Sequence, residues 1–224
     1  LVSYEVPLVM SLAAVLLWAG SMSLVEIVDK QPVPLIFLQP LGFFVFIAAT
    51  IAEMNRAPFD LIEAESEIVA GYHTEYSGMK FGVFQLAEFA SVVVGAGFIT
   101  AIFLKGAAGW SFLPSPAWFS LKWLAVIFCI IWIRATLPRV RVDQVMAFAW
   151  KFLLPLSAIN LILVAVEMVI WPSPNGAQLW MIGLINFAVA AVAIAVLATA
   201  LGHRNFAPRS PQMPTSTVVG EKVV

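Results

Sequence analysis

The chain has 224 residues, of which 62% are hydrophobic and 11% are charged. Soluble domains carry about 25% charged residues, so this composition excludes an ordinary soluble domain and predicts a membrane protein. The formal net charge of −1 offers no basic surface for nucleic acid. The single cysteine, Cys129, can form neither an internal disulfide nor an iron–sulfur cluster, which needs about four ligands. Because Cys129 lies in an apolar run, we expect it to be buried.

Six segments are long and apolar enough to cross a bilayer, which takes about 20 mostly apolar residues. In chain order these predicted spans are 6–25, 31–52, 81–104, 116–133, 152–171 and 177–202. They predict an all-α polytopic membrane protein, with a transmembrane domain over 1–202 and a disordered tail, rich in Pro, Ser and Thr, over 203–224. The first residue is Leu1 and no basic segment precedes the first apolar run, so we expect no signal peptide and a start cut from a longer protein.

The connections between the predicted spans differ in their basic residues. Nine of the 12 Lys and Arg residues fall in 53–80, 134–151 and 203–224. The other three, which lie at the opposite ends of the predicted spans, are Lys30, Lys105 and Lys122. Six alternating spans reproduce this division, and the positive-inside rule then predicts that the 53–80 loop and the C-terminus are cytoplasmic.

The loop over 53–80 is acidic along most of its length. Asp60 is a suitable N-cap with Glu63 three residues later, so a short helix is predicted over 61–70. On that helix Asp60, Glu63 and Glu67 share one face. An acidic run of this kind is often only a solvated surface helix. Because further carboxylates flank it, and clustered carboxylates titrate as a coupled set, a proton relay at the membrane surface is the alternative.

Ionisable residues inside the predicted spans are costly and by default functional. Glu5 begins the first span, Glu26 ends it, and Glu88 lies about two turns into the third. Glu26 can equally be interfacial, and Glu167, near the end of the fifth span, is expected to be interfacial. Arg134 belongs to three arginines that either anchor the end of the fourth span or pair with acidic residues.

Other kinds of chemistry find no support in the sequence. The chain has two histidines, His73 and His203, far apart, so we expect no metal site. Gly95-Ala-Gly97 lies within a predicted span with no strand before it, which argues against a dinucleotide-binding loop. With no nucleophile–base set or phosphate loop in view, we expect no covalent catalysis by this chain alone.

Several longer motifs are shared with one family. They are Ser3-Tyr-Glu-Val-Pro-Leu8, Glu53-x-Asn-Arg-Ala-Pro-Phe-Asp-Leu, Glu63-Ala-Glu-x-Glu, Gly71-Tyr-His-Thr-Glu-Tyr-Ser-Gly, Ala87-Glu88-Phe, Trp132-Ile-Arg-Ala-Thr-Leu-Pro-Arg139 and Asp143-Gln144. Over residues 1–165 the chain closely resembles the H subunit of proton-pumping NADH:quinone oxidoreductase, respiratory complex I. The motifs are long and occur in the family's order, which makes the resemblance specific.

The resemblance implies a multi-pass membrane protein of the bacterial inner membrane that forms part of a quinone-binding chamber and couples quinone reduction to proton translocation. It implies quinone as substrate, no cluster or flavin in this chain, and two sets of partners: peripheral-arm subunits on the cytoplasmic loops and neighbouring membrane subunits. The implied coupling carboxylates are Glu5, Glu26, Glu53, Asp60, Glu63, Glu65, Glu67, Glu75 and Glu88. Arg56 and Arg134 become candidates for lining the quinone cavity or balancing charge.

The chain also departs from the family pattern. The family usually has three further spans and an amphipathic helix before this region, and Ile62 stands where proline is common. The last span, 177–202, and the tail lie beyond the common core and receive no role. Two alternatives stay open: the homologous membrane subunit of a membrane-bound hydrogenase or of a complex with another electron donor, and a stand-alone secondary transporter. The motif that begins at Gly71 favours the quinone-reducing branch.

Overall fold

The structure is a computed structural model that describes residues 2–54, 58–59, 78–109, 113–138, 140, 142–172 and 174–205. Every regular element among these residues is a helix, so the predicted all-α polytopic class is confirmed. The helices are α1 (Val2–Ala19), α2 (Leu24–Lys30), α3 (Leu35–Leu38), α4 (Pro40–Glu53), α5 (Met79–Phe103), α6 (Ser115–Thr136), α7 (Val142–Phe148), α8 (Leu154–Ile170) and α9 (Gly176–Asn205). A π-helical turn, Ala149–Leu153, joins α7 to α8 without a break.

In the described part of the chain, five helical segments are long and apolar enough to cross a membrane. They are Val2–Ala19, Met79–Phe103, Ser115–Thr136, Gln144–Ile170 and Gly176–Val196. The segment predicted as the second span contains instead the four-residue α3 and the 14-residue α4. Pro34 precedes α3 and Pro40 opens α4, and proline cannot continue a helix that precedes it because it lacks an N–H group. At about 21 Å, α4 is shorter than the bilayer's hydrocarbon core of about 30 Å.

Single residues also determine where the first helix ends and where the α7–α8 segment departs from α-helical geometry. Helix α1 ends at Ala19 because Gly20 has φ +63°, a left-handed conformation that glycine adopts readily. Pro155 lies at the start of α8, has no N–H group and crowds the carbonyl four residues before it. The π turn immediately before it accommodates that missing bond, as π turns inside helices commonly do.

Helix α1 is central to the bundle and packs against α4 and α8. On one side α5 packs against α2, α3 and α4 and carries α6 on its outer face, and on the other side α9 packs against α3 and α4. Tyr4 of α1 shares a buried cluster with Ala52 of α4, so α1 begins where α4 ends. We call this the Glu53 end of the bundle.

Most of α6 is uncovered by the rest of the described chain, and its buried residues are Val126 and Ile130. Cys129 is exposed on α6, so the prediction that it is buried is wrong. An apolar run in a membrane protein can face lipid as readily as a protein core, and the sequence does not separate these two cases.

Candidate functional site

A cavity of about 710 Å³ lies between α1, α2, α4 and α5, a volume within the usual range of ligand pockets. Its wall is mostly Leu, Ile, Val, Phe and Met, and its polar side chains are Thr50, Glu53 and Ser91. Met22 and Val94 also line it and are exposed, so the cavity reaches the protein surface between α2 and α5.

The lining residues of α1 and α5 repeat at helical spacing. On α1 they are Leu8, Leu12 and Leu16, and Glu5 lies one turn before them on the same face. On α5 they include Ser91, Gly95 and Phe98, and Glu88 lies one turn before Ser91 on that face.

Of the predicted coupling carboxylates, Glu53 therefore lies in the cavity wall, and Glu5 and Glu88 lie one helical turn beyond the lining residues of α1 and α5. Glu53 lines the cavity directly and is exposed at the last residue of α4. Glu5 is also exposed, whereas Glu88 is half-buried, and its backbone carbonyl accepts a hydrogen bond of 2.7 Å from the Ser91 hydroxyl. Glu26 is exposed on α2, between two residues that line the other part of the cavity, Leu24 and Ile27.

The wall between α4 and α5 depends on a close approach at Gly95. A Cβ atom there would collide with Cε of Met54 and lie 3.2 Å from Cγ2 of Thr50. Gly95 lies inside the long helix α5, so the Gly95-Ala-Gly97 segment is helical and is not a loop. Thr50 is buried, and its hydroxyl has no hydrogen-bond partner among the described residues. Within the described part of the chain, the Thr50 hydroxyl is thus an unpaired polar group buried at the cavity wall, and buried polar groups usually have a hydrogen-bond partner.

Six of the predicted site residues lie outside the described residues, together with the predicted helix over 61–70. They are Arg56, Asp60, Glu63, Glu65, Glu67 and Glu75. Arg134 is described: it is exposed in the last turn of α6 and is not among the residues that line the cavity.

The first residues of the acidic loop are held against α7 by an aromatic column, which we define as Phe59, Phe148 and Phe152. Phe59 stacks on Phe148 with ring centroids 5.8 Å apart, and Phe148 stacks on Phe152 at 5.3 Å. The Val140 amide donates a hydrogen bond of 3.1 Å to the Pro58 carbonyl. These contacts fix the point from which the acidic loop departs and tie it to the π turn.

Two polar groups of interest were not predicted from the sequence. Nothing in the composition of α4 marks Thr50, because a threonine in an apolar helix usually bonds its own backbone. The prediction that Glu167 is interfacial did not include its burial: it lies in the last turn of α8, is 8% exposed, and its carboxylate accepts hydrogen bonds from Asn186 of α9. The sequence offers one signal for the Glu167 pairing: an acidic residue in the fifth apolar span, and an amide residue, Asn186, in the next span.

Long apolar helices define a polytopic membrane protein, and its candidate site is an apolar cavity with one acidic residue, Glu53, in the wall. The family model described as NADH dehydrogenase matches residues 1–165, and the chain belongs to this family. The resemblance predicted from the motifs is confirmed by relatives that are named as the H subunit of NADH-quinone oxidoreductase.

The relative from Dehalococcoides mccartyi (strain CBDB1) is 58% identical over 188 residues, which cover 84% of this chain and 52% of the relative. That from Geobacillus kaustophilus is 54% identical over 172 residues, covering 74% of this chain and 51% of the relative. That from Bacillus thuringiensis is 50% identical over 172 residues, with the same coverage. The chain spans about half the length of the curated relatives it matches.

Proposed function

We propose that this chain is part of the membrane subunit of a proton-translocating NADH:quinone oxidoreductase, where it lines the quinone chamber and links quinone reduction to proton movement. The relatives' names support the reaction, because each is the H subunit of an NADH-quinone oxidoreductase. The stand-alone transporter and the hydrogenase-type relative have no comparable support.

The observation that supports the coupling role is the position of Glu53 in the cavity wall, with Glu5 and Glu88 one helical turn beyond the lining residues of α1 and α5. Carboxylates that share a site repel one another when ionised, so they take up and release protons as a set. Such a set responds to any charge that arrives nearby, and quinone reduction consumes protons and electrons. A change in the charge of the quinone can therefore change how many of these carboxylates carry a proton.

The cavity wall also suits part of a quinone. A quinone has an apolar ring and an apolar chain, with two carbonyl oxygens that accept hydrogen bonds. The Leu and Phe residues of the cavity offer the apolar surface, and the buried Thr50 hydroxyl offers one donor.

The remaining parts of the proposal extend this site. The acidic residues Asp60, Glu63, Glu65, Glu67 and Glu75 continue the coupling set into the 53–80 loop, and Glu26 continues it toward α2. Arg56 and Arg134 balance its charge or line the quinone chamber. The loop and the C-terminus face the cytoplasm of a bacterial inner membrane, where peripheral-arm subunits dock, and neighbouring membrane subunits contact the bundle.

The proposal is tested with Glu67→Gln and Glu88→Gln in the full-length protein within the purified complex. Glutamine keeps the size of glutamate but cannot carry the proton, so each variant should assemble normally and lose quinone-reductase or proton-pumping activity. Asp29→Asn, an exposed position on α2 outside the coupling set, is the matched control. Full activity in both glutamate variants would refute the relay. A complex that oxidises hydrogen but not NADH would identify the hydrogenase-type relative.

A further inference from the structure

The buried face of α8 carries three polar side chains away from the cavity described above: Ser157, Asn160 and Glu167. Their spacing of three and seven residues puts them on one side of the helix. Ser157 satisfies its hydroxyl locally by donating to the Leu154 carbonyl at 2.8 Å. Glu167 instead accepts hydrogen bonds from Asn186 of α9, and Asn160 faces Gly42 of α4, so polar side chains lie at both the α4 and the α9 interfaces of α8.

Glu167 is paired with an uncharged group. Nδ2 of Asn186 donates to Oε1 at 2.9 Å and to Oε2 at 3.2 Å, and the two residues are 8% and 4% exposed. Among the described residues no basic side chain forms an ion pair with Glu167. An amide solvates a carboxylate in part but does not neutralise it, and a bare anion inside a membrane protein is costly. The proton-bound form of Glu167 avoids that cost.

Along α8 and α9 the next charged residues are about 24 Å or more from the Glu167–Asn186 pair. The charged residues on the elements packed against α8 are Glu5, Glu53 and Lys151, together with His203 and Arg204 on α9. Lys151 precedes Glu167 by 16 residues, or about 24 Å along the helix, and His203 follows Asn186 by 17 residues, or about 26 Å. Beside α1, α2 carries Glu26, Asp29 and Lys30, and the Lys30 ammonium donates to the Ala19 carbonyl at 2.9 Å.

Unsatisfied polar atoms lie close by on the α4 side. Nδ2 of Asn160 and both amide atoms of Gln39 are buried, with no hydrogen-bond partner among the described residues. Gly42, one turn after Gln39, lets the α4 backbone approach Asn160, because a Cβ atom there would lie 2.9 Å from Asn160 Nδ2. Buried polar groups of this kind are commonly satisfied by ordered water, which also carries protons.

We propose that Glu167 is a proton-binding carboxyl group within the membrane, oriented by Asn186 and reached by water along the interface at Asn160 and Gln39. It lies outside the coupling set implied by the family resemblance and toward the end of the bundle opposite Glu53. The inference does not rest on the proposed function, because a proton can bind at this site without turnover.

The test is site-specific labelling with N,N′-dicyclohexylcarbodiimide, a lipophilic reagent. The protonated carboxyl oxygen adds to the central carbon of the reagent while the acid proton moves to one of its nitrogens, and the O-acylisourea rearranges to an N-acylurea that retains the whole reagent. The full-length protein is labelled in its assembled complex in membranes, without NADH, and the peptide with Glu167 is analysed by mass spectrometry. We expect an adduct at Glu167 with this reagent and none with a water-soluble carbodiimide.

Two variants distinguish proton binding at Glu167 from a purely structural role of its hydrogen bond to Asn186. Glu167→Gln keeps a hydrogen bond to Asn186 and should assemble normally while losing the adduct. Asn186→Leu removes the donors that stabilise the anion, so labelling at Glu167 should persist to higher pH than in the wild type. Absence of the adduct from the wild-type protein, or equal labelling by the water-soluble reagent, would overturn the proposal. An unchanged pH profile in Asn186→Leu would overturn the role of Asn186.

Discussion

Thr50 carries a buried hydroxyl at a cavity wall whose other polar side chains are Glu53 and Ser91. Replacing it with valine keeps the shape and removes only the donor. If this hydroxyl binds a quinone carbonyl, Thr50→Val should raise the KM for quinone about two- to tenfold, which corresponds to one neutral hydrogen bond, and leave kcat nearly unchanged. Ser120→Ala, at an exposed position on α6, is the control for loss of a helix hydroxyl. An unchanged KM in Thr50→Val would remove Thr50 from the quinone site.

Lys122 closes the connection between α5 and α6. Its ammonium donates to the carbonyls of Leu104, Gly106 and Ala108 at 2.8, 3.0 and 2.5 Å, which satisfies carbonyls that the end of α5 leaves free. Lys122→Met should therefore lower the free energy of unfolding by roughly 1.5–3 kcal/mol, the value of one charged hydrogen bond. Thermal unfolding in detergent measures the loss, and Lys151→Met, at an exposed position, should have little effect. Equal stability of the two variants would contradict this role.

At the level of single residues, the sequence selected charged side chains in or beside apolar spans but did not predict their surroundings. Of the three selected carboxylates that the structure describes on α1, α4 and α5, Glu53 lines the cavity, and the helical period places Glu5 and Glu88 one turn beyond its lining residues. Cys129 was misplaced because lipid and protein interiors select the same apolar residues. The burial of Glu167 was not predicted because its partner, Asn186, is 19 residues away on another helix.

Among the elements, the aromatic column and the π turn bear most directly on the acidic loop. Phe148 stacks on both Phe59 and Phe152, so it joins the start of the loop to the π turn that leads into α8. Phe148→Leu should loosen this contact by about 1.4 kcal/mol or less, which corresponds to up to tenfold faster hydrogen exchange at the Val140 amide.

Mass spectrometry of the peptide that contains Val140 reports this exchange, since that amide donates to Pro58 at the start of the loop. Phe128→Leu, at an exposed position on α6, is the matched control and should leave the exchange rate unchanged. The same rate in Phe148→Leu as in the wild type would show that the column does not hold the loop.

The helices themselves could be predicted only in part. Apolar run length identified the long helices, but the second predicted span is divided because prolines interrupt backbone hydrogen bonding in a way that hydropathy ignores. The π turn before Pro155 could not be predicted from the hydrophobic pattern either, because it changes the register of a helix and not its composition. These features decide which side chains face the cavity and the aromatic column.

For the whole molecule, the predicted orientation gives a direct labelling experiment. In a Cys129→Ser background, a cysteine at Asn175, in the connection before α9, should react with a membrane-impermeant thiol reagent in right-side-out vesicles. A cysteine at Ser216, in the C-terminal tail, should react only after the vesicles are permeabilised. Removing Cys129 is necessary because its thiol is exposed on α6. The reverse pattern would contradict the orientation predicted from the basic residues.

The central claim is that Glu53, in the cavity wall, acts together in coupling with the carboxylates beside the cavity, and a double-mutant cycle on Glu53 and Glu88 tests it most directly. Proton translocation is measured with Glu53→Gln, Glu88→Gln and the double variant in the assembled complex, with Asp29→Asn combined with Glu88→Gln as the control pair. If the two glutamates serve one relay, the double variant should be about as slow as the slower single variant. A double variant whose loss equals the product of the two single losses would contradict the account.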